Sequence, residues 1–182
     1  EGLEHLKALE GRPVVLFAPH FVGLDATVQK LALAGLPIAS MYAQQKDALF
    51  DRVLLKGRSR FGLRLHARQA GLRPVLKSVA RGERYYYLPD LDYGPRGSIF
   101  VPFFGVPAAT ITGLSYIARR TGAAVVPCVT RMLPGGGYVG RLYPAWRDFP
   151  SGDEAADARR MLAFIEERVM EMPEQYHWLH KR

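Results

Sequence analysis

Two residues near the N-terminus have the types and spacing of a proton-transfer pair. They open and close the stretch H-F-V-G-L-D, from His20 to Asp25. An imidazole is the side chain best suited to act as a base at neutral pH, provided a carboxylate fixes its tautomer. Inside one helix a five-residue offset would set the two side chains about 140° apart. The spacing works if His20 stays in a turn and Asp25 lies in the first turn of the helix that follows. Asp25 would then accept from one ring nitrogen and leave the other as base, the histidine–carboxylate half of a triad without a nucleophilic serine. His5 and Glu10 repeat the interval, but in a polar, helix-like stretch with no strand before it, and they read as solvent-facing.

Two more clusters carry anion chemistry. In Leu49–Gly62 (LFDRVLLKGRSRFG), Arg58 and Arg60 close a basic helix. The planar guanidinium suits bidentate contact with phosphate or carboxylate, and cations at a helix C-terminus are also favoured by the macrodipole alone. In Pro89–Gly105 (PDLDYGPRGSIFVPFFG), Asp90, Asp92 and Arg96 sit in a Gly/Pro-rich loop after a tyrosine strand. Site residues collect in such loops, and a tight turn stitched by an Asp–Arg pair accounts for them equally. The V-P-F-F that follows suits either the wall of a hydrocarbon channel or the core.

Charge points the same way. Between Asp51 and Arg84 stand ten basic residues and two acidic ones, a local excess equal to the net +8 of the whole chain. A neutral body with one basic surface implies an anionic partner: phosphate-bearing lipid, nucleic acid or an acidic protein. Nucleic acid is disfavoured, because no RNA-binding aromatic signature accompanies the charge.

Other chemistries are excluded or weakened. A single cysteine, Cys128, rules out an intramolecular disulfide framework and multi-thiolate zinc. His66, His177 and His180 lack metal-ligand spacing. There is no P-loop and no G-x-S-x-G elbow; Ser115 falls inside a predicted helix. Gly135, Gly137 and Gly140 satisfy G-x-G-x-x-G, but Pro144 leaves no room for the helix that a dinucleotide fingerprint must open, and they read as a hairpin turn. No apolar stretch reaches the roughly 20 residues needed to span a bilayer. The first ten residues are charged throughout and start without Met, so no signal peptide is read and an upstream segment is expected.

The elements that must position these residues alternate. Strands are predicted at 12–18, 38–42, 63–66, 84–88, 124–129 and 138–142. Helices are predicted at 22–34, 47–60, 72–80, 110–120 and 153–172, with a loop from Pro89 to Pro107. At 182 residues this is one α/β domain with a mainly parallel central sheet flanked by helices. Ligands of such sheets bind beyond the carboxyl ends of the strands, where His20 falls.

Taken in order, H-F-V-G-L-D, L-F-D-R-V-L-L-K-G-R-S-R-F-G, P-D-L-D-Y-G-P-R, the strand V-V-P-C-V and the ending P-E-Q-Y-H-W-L-H-K-R resemble the late acyltransferases of lipid A biosynthesis. These lie within the wider lysophospholipid acyltransferase group, whose glycerolipid members carry E-G-T-R where this chain has D-Y-G-P-R. The resemblance covers about residues 12–182 and implies a glycerolipid-acyltransferase-like fold. It implies acyl transfer from an acyl carrier protein thioester, or from acyl-CoA, to a hydroxyl of an anionic glycolipid. It further implies His20 as base and Asp25 as its orienter, and no metal or organic cofactor. Arg58, Arg60 and Arg96 are the expected anion contacts, with Asp90 and Asp92 ordering the loop or touching the sugar. The expected location is the cytoplasmic face of the bacterial inner membrane, held there peripherally or by an upstream anchoring helix. Gln175–Arg182 mixes aromatics with cations and suits a membrane interface or a cap on the fold.

Overall fold

The computed structural model describes residues 1–92 and 94–179. In chain order the elements are α1 (Leu3–Lys7), β1 (Val14–Phe17), α2 (Leu24–Leu33), β2 (Ile38–Tyr42), α3 (Ala48–Ser59), β3 (Arg64–Ala67), α4 (Arg73–Ala80) and β4 (Arg84–Tyr87). They continue with β5 (Ser98–Phe103), β6 (Val106–Ile111), α5 (Gly113–Thr121), β7 (Ala124–Met132), β8 (Tyr138–Leu142) and α6 (Glu154–Glu171). Six strands form one sheet in the order β3-β2-β4-β1-β7-β8. All pairings are parallel except β7 with the edge strand β8.

β1 is buried along its whole length, as a continuous apolar run in a parallel sheet requires. Its side chains alternate between two cores. Val15 and Phe17, with Tyr85 and Tyr87 of β4, face the side covered by α4, α5 and α6; Val14, Leu16 and Tyr86 face the side of α1 and α2. α6 buries Met161, Leu162, Ile165 and Val169, each worth about 1.5–3 kcal/mol when fully removed from water. Asp153 caps that helix by accepting from the backbone N–H groups of Ala155 and Ala156. The tyrosine strand is interior, with Tyr85, Tyr86 and Tyr87 at 0%, 2% and 8% exposure, so it offers no stacking platform for bases.

The stretch read as a loop from Pro89 to Pro107 departs from expectation. Its second half is β5, which turns at Phe104–Gly105 and pairs antiparallel with β6. Both turn residues have positive φ (48° and 80°), the conformation a two-residue hairpin turn needs. Pro102 and Pro107 stand opposite each other, which a ribbon with open edges tolerates. Thr110 and Ile111, expected in a helix, therefore belong to β6. The ribbon is tied to α6, where Glu166 accepts from the Phe104 N–H and Arg159 donates to the Pro102 carbonyl. Val101 and Phe103 are buried in the core, while Pro102 and Phe104 of the same V-P-F-F are exposed on the other face of the ribbon.

Gly135–Gly137 form the β7–β8 turn as expected. A Cβ on Gly140 would lie 2.5 Å from Thr27 Oγ1, so close packing of α2 on β8 explains that glycine. Cys128 is buried, and desolvation pushes its thiol up to about 12. No helix among the described residues is long and apolar enough to cross a membrane.

Candidate active site

β1 and β4 are neighbours in register, with Phe17 opposite Tyr87. Each strand then runs on through one residue and a proline, Ala18-Pro19-His20 and Leu88-Pro89-Asp90. His20 and Asp90 thus stand at equivalent steps beyond the same pair. Their contact follows: His20 Nδ1 lies 2.6 Å from Asp90 Oδ1, and the His20 backbone N–H donates to Asp90 Oδ2 at 2.8 Å. The Tyr176 hydroxyl donates to that second oxygen at 3.1 Å. The Asp90 side chain is fully buried, while that of His20 keeps 16% exposure. Two donors on Oδ2 favour the carboxylate, which then accepts the Nδ1 proton at Oδ1.

The turn is also held from its other side. The His20 carbonyl accepts from the His177 N–H at 2.9 Å, and the Val22 N–H donates to the Gln175 carbonyl at 2.8 Å. Phe21 forms an isolated bridge with Tyr176. The aromatic C-terminal stretch therefore caps the fold over the histidine. His180 lies outside the described residues.

A cavity of about 450 Å³ opens at this end of the sheet, bounded by His20, Asp25 and Arg58 on its polar side. Leu24, Val28, Leu63, Leu65, Leu88 and Leu91 supply apolar walls, a lining that suits a hydrocarbon chain beside a reactive group. Tyr86 also borders it. Burial pushes its phenol well above the ordinary value, so it stays neutral and donates to the Leu24 carbonyl.

Asp25 does occupy the first turn of α2, but the carboxylate seated on Nδ1 of His20 is Asp90. Asp25 instead pairs through Oδ2 with Arg58 at 3.0 Å. That pair bridges α2 to α3 at the cavity edge, seconded by Gln29, which donates to the Arg58 carbonyl. The H-x-x-x-x-D spacing points to the nearest acid in sequence. The parallel register brings a more distant one.

The remaining predicted residues disperse. Asp92 Oδ1 accepts from the Gly94 N–H at 2.6 Å, so it orders the loop. Arg60 is exposed and lies over the Phe61 ring, 4.5 Å from its centroid, outside the cavity wall. Arg96 is exposed in the loop after β4 and does not line the cavity either. His66 pairs with Ser78 through Nε2, and its pKa is lowered chiefly by burial. Of the two alternatives for Gln175–Arg182, the described part forms a cap, and the contacts of Tyr176 with Asp90 and of His177 with His20 are what the sequence does not reveal.

A lipid A biosynthesis acyltransferase of Haemophilus influenzae is 40% identical over 181 residues, 98% of this chain and 56% of that protein. The lipid A biosynthesis lauroyltransferase of Escherichia coli is 36% identical over 185 residues, all of this chain and 60% of the relative. The myristoyltransferase of the same organism is 35% identical over 190 residues, again the whole chain and 57% of the relative. The chain thus spans somewhat more than half the length of the relatives it matches. The pattern describing bacterial lipid A biosynthesis acyltransferases fits residues 1–182. With the full length matched and relatives this similar, the chain belongs to the bacterial lipid A biosynthesis acyltransferase family.

Proposed function

We propose that this chain carries the catalytic centre of an O-acyltransferase that moves a fatty acyl group from a thioester to a hydroxyl of a phosphorylated glycolipid, a lipid A precursor. The observation that carries the reading is the His20–Asp90 pair at the polar end of an apolar-walled cavity, with Arg58 on its rim. Asp90 holds the Nδ1 proton, so Nε2 is the nitrogen that takes the proton of the acceptor hydroxyl. The oxygen attacks the thioester carbonyl, the C–S bond breaks, and the departing thiolate recovers the proton from the imidazolium. Products are an ester and a free thiol. No covalent enzyme intermediate is required, and the buried, protonated thiol of Cys128 is no nucleophile.

Arg58 is suited to the acceptor phosphate, while Asp25 holds that guanidinium at the cavity edge and tempers its charge until an anion arrives. Acyl carrier protein is the preferred donor, since an acidic carrier complements the cationic 51–84 surface; acyl-CoA is the alternative. The working location is the cytoplasmic face of the inner membrane.

The test is mass spectrometry of lipid products after incubation with a lipid A precursor and either acyl carrier protein or CoA thioesters. One added acyl group with release of an equivalent of thiol is the expected result. Thioester left intact with both donors, while the folded protein binds nucleic acid with a steep salt slope, would replace the enzyme reading with a basic binding module.

A further inference from the structure

α3 is attached to the body differently from the other long helices. It carries Leu49, Phe50, Val53, Leu54 and Leu55, yet Asp51 is its one buried residue. Leu49, Phe50 and Val53 are 72%, 53% and 58% exposed. The Asp51 carboxylate points inward and accepts from the Gln45 N–H. The far end of the helix is the anchored one, through Arg58 to Asp25 and Gln29. Leu49 and Val53 therefore lie on the face turned away from the body, opposite Asp51 and Arg58. At 100° per residue, Leu49, Val53, Lys56 and Arg60 share a sector of about 60°, with Arg52 at its flank.

Charge around the helix is predominantly positive. Both acids of the 51–84 segment, Asp51 and Glu83, are buried at 8% and 9% exposure, while eight of its ten cations are exposed. Asp47, the exposed acid at the start of α3, is occupied in capping the Phe50 N–H.

From this we infer that α3 is a bilayer-docking helix: Leu49, Phe50 and Val53 insert into an anionic phospholipid surface, with Arg52, Lys56 and Arg60 at headgroup depth. Clustered apolar side chains on an uncovered helix end call for a covering surface. A face that joins them to cations fits the lipid–water interface. An acidic protein would answer the cations and leave the apolar residues in water. A second copy of this chain would set cations against cations. Because Arg58 of α3 also borders the cavity, docking sets the cavity mouth at the depth of a glycolipid headgroup. This deepens the reading above by supplying the surface from which the acceptor is drawn.

Vesicle binding tests it without turnover. The 182-residue chain is cosedimented with phosphatidylcholine vesicles with and without phosphatidylglycerol. Phe50→Trp is read by its added fluorescence, quenched by brominated acyl chains. Binding that requires phosphatidylglycerol, quenching of the added indole fluorescence, and loss of about tenfold in partitioning for Leu49→Ser/Val53→Ser are the expected results. Arg52→Glu and Lys56→Glu should each cost about fivefold or more. Circular dichroism checks that the variants stay folded. The inference is overturned if the parent ignores anionic vesicles, if the fluorescence added by Phe50→Trp is not quenched, or if the serine variant binds like the parent. It is also overturned if α3 is protected by an acidic carrier protein or by self-association instead of lipid. A chain that docks without transferring acyl groups would sink the enzymatic reading and leave this one standing.

Discussion

Asp90 grips His20 at two points, one carboxylate oxygen on the imidazole and the other on the backbone N–H of the same residue. A single side chain thereby fixes both the position of the turn and the orientation of the ring it carries. Rotation of the imidazole away from the cavity would break a hydrogen bond to a fully buried carboxylate, which is costly to leave unmet.

His20→Ala should lower acyl transfer by at least about a hundredfold, the minimum contribution of a positioned base. The thermal transition should fall as well, because Asp90 Oδ1 loses its buried partner, so rates are compared at a temperature where circular dichroism shows the variant folded. His5→Ala is the control, and its turnover should match the parent. Rates with a defined thioester donor decide the matter: a His20→Ala enzyme of near-normal rate removes the imidazole from the mechanism.

Asp90→Asn should cost about as much as loss of the histidine, since the amide cannot both hold the Nδ1 proton and stabilise the charged ring. Tyr176→Phe removes one hydrogen bond to a charged acceptor, about 1.5 kcal/mol, and should slow transfer about tenfold. The informative comparison is kcat against KM. A fall in kcat with KM unchanged fits a group acting through His20, whereas an equal fall in folded fraction would mark Tyr176 as merely structural.

Arg58→Ala should raise KM for the phosphorylated acceptor by about tenfold or more, the worth of a charge-assisted hydrogen bond. Arg96→Ala, whose side chain lies off the cavity wall, should stay within about twofold of the parent. Steady-state kinetics on acceptors with and without phosphate would check both. An Arg96 effect as large as that of Arg58 would mean that the loop after β4 reaches the substrate.

Cys128 offers a pH-dependent test. Its folded-state value of about 12 stands above the roughly 8.5 of a free thiol. The unfolded chain therefore binds fewer protons than the folded one between those values. Stability from this group is intact below about pH 8.5 and declines as pH rises from there toward 12. Iodoacetamide should leave the native protein unmodified at pH 8 and label it in step with urea unfolding. Fast labelling of the native state would contradict the burial.

Much of the architecture was legible in the sequence because period and punctuation agreed. The run V-V-L-F between prolines, the basic helix after Asp47 and the long helix after Asp153 fold close to where their patterns put them. The β5–β6 ribbon was not legible, since Pro102 and Pro107 read as breakers and only their pairing across the turn makes them compatible with strands. The site divides the same way. His20 and the place of Asp25 follow from a turn and a helix start, which are local. The His20–Asp90 contact joins residues 70 positions apart and depends on β4 lying between β2 and β1, an order no local pattern encodes. The shared phrasing F-A-P-H and Y-L-P-D was a trace of it, meaningful only once the strands are known to be neighbours.

The clasp of Gln175, Tyr176 and His177 on the turn around His20 has a temporal consequence. These segments are made at opposite ends of translation of this stretch, so a nascent chain can build most of its sheet while the histidine is still unclasped. Only when the stretch is complete can these last hydrogen bonds close over the turn around His20.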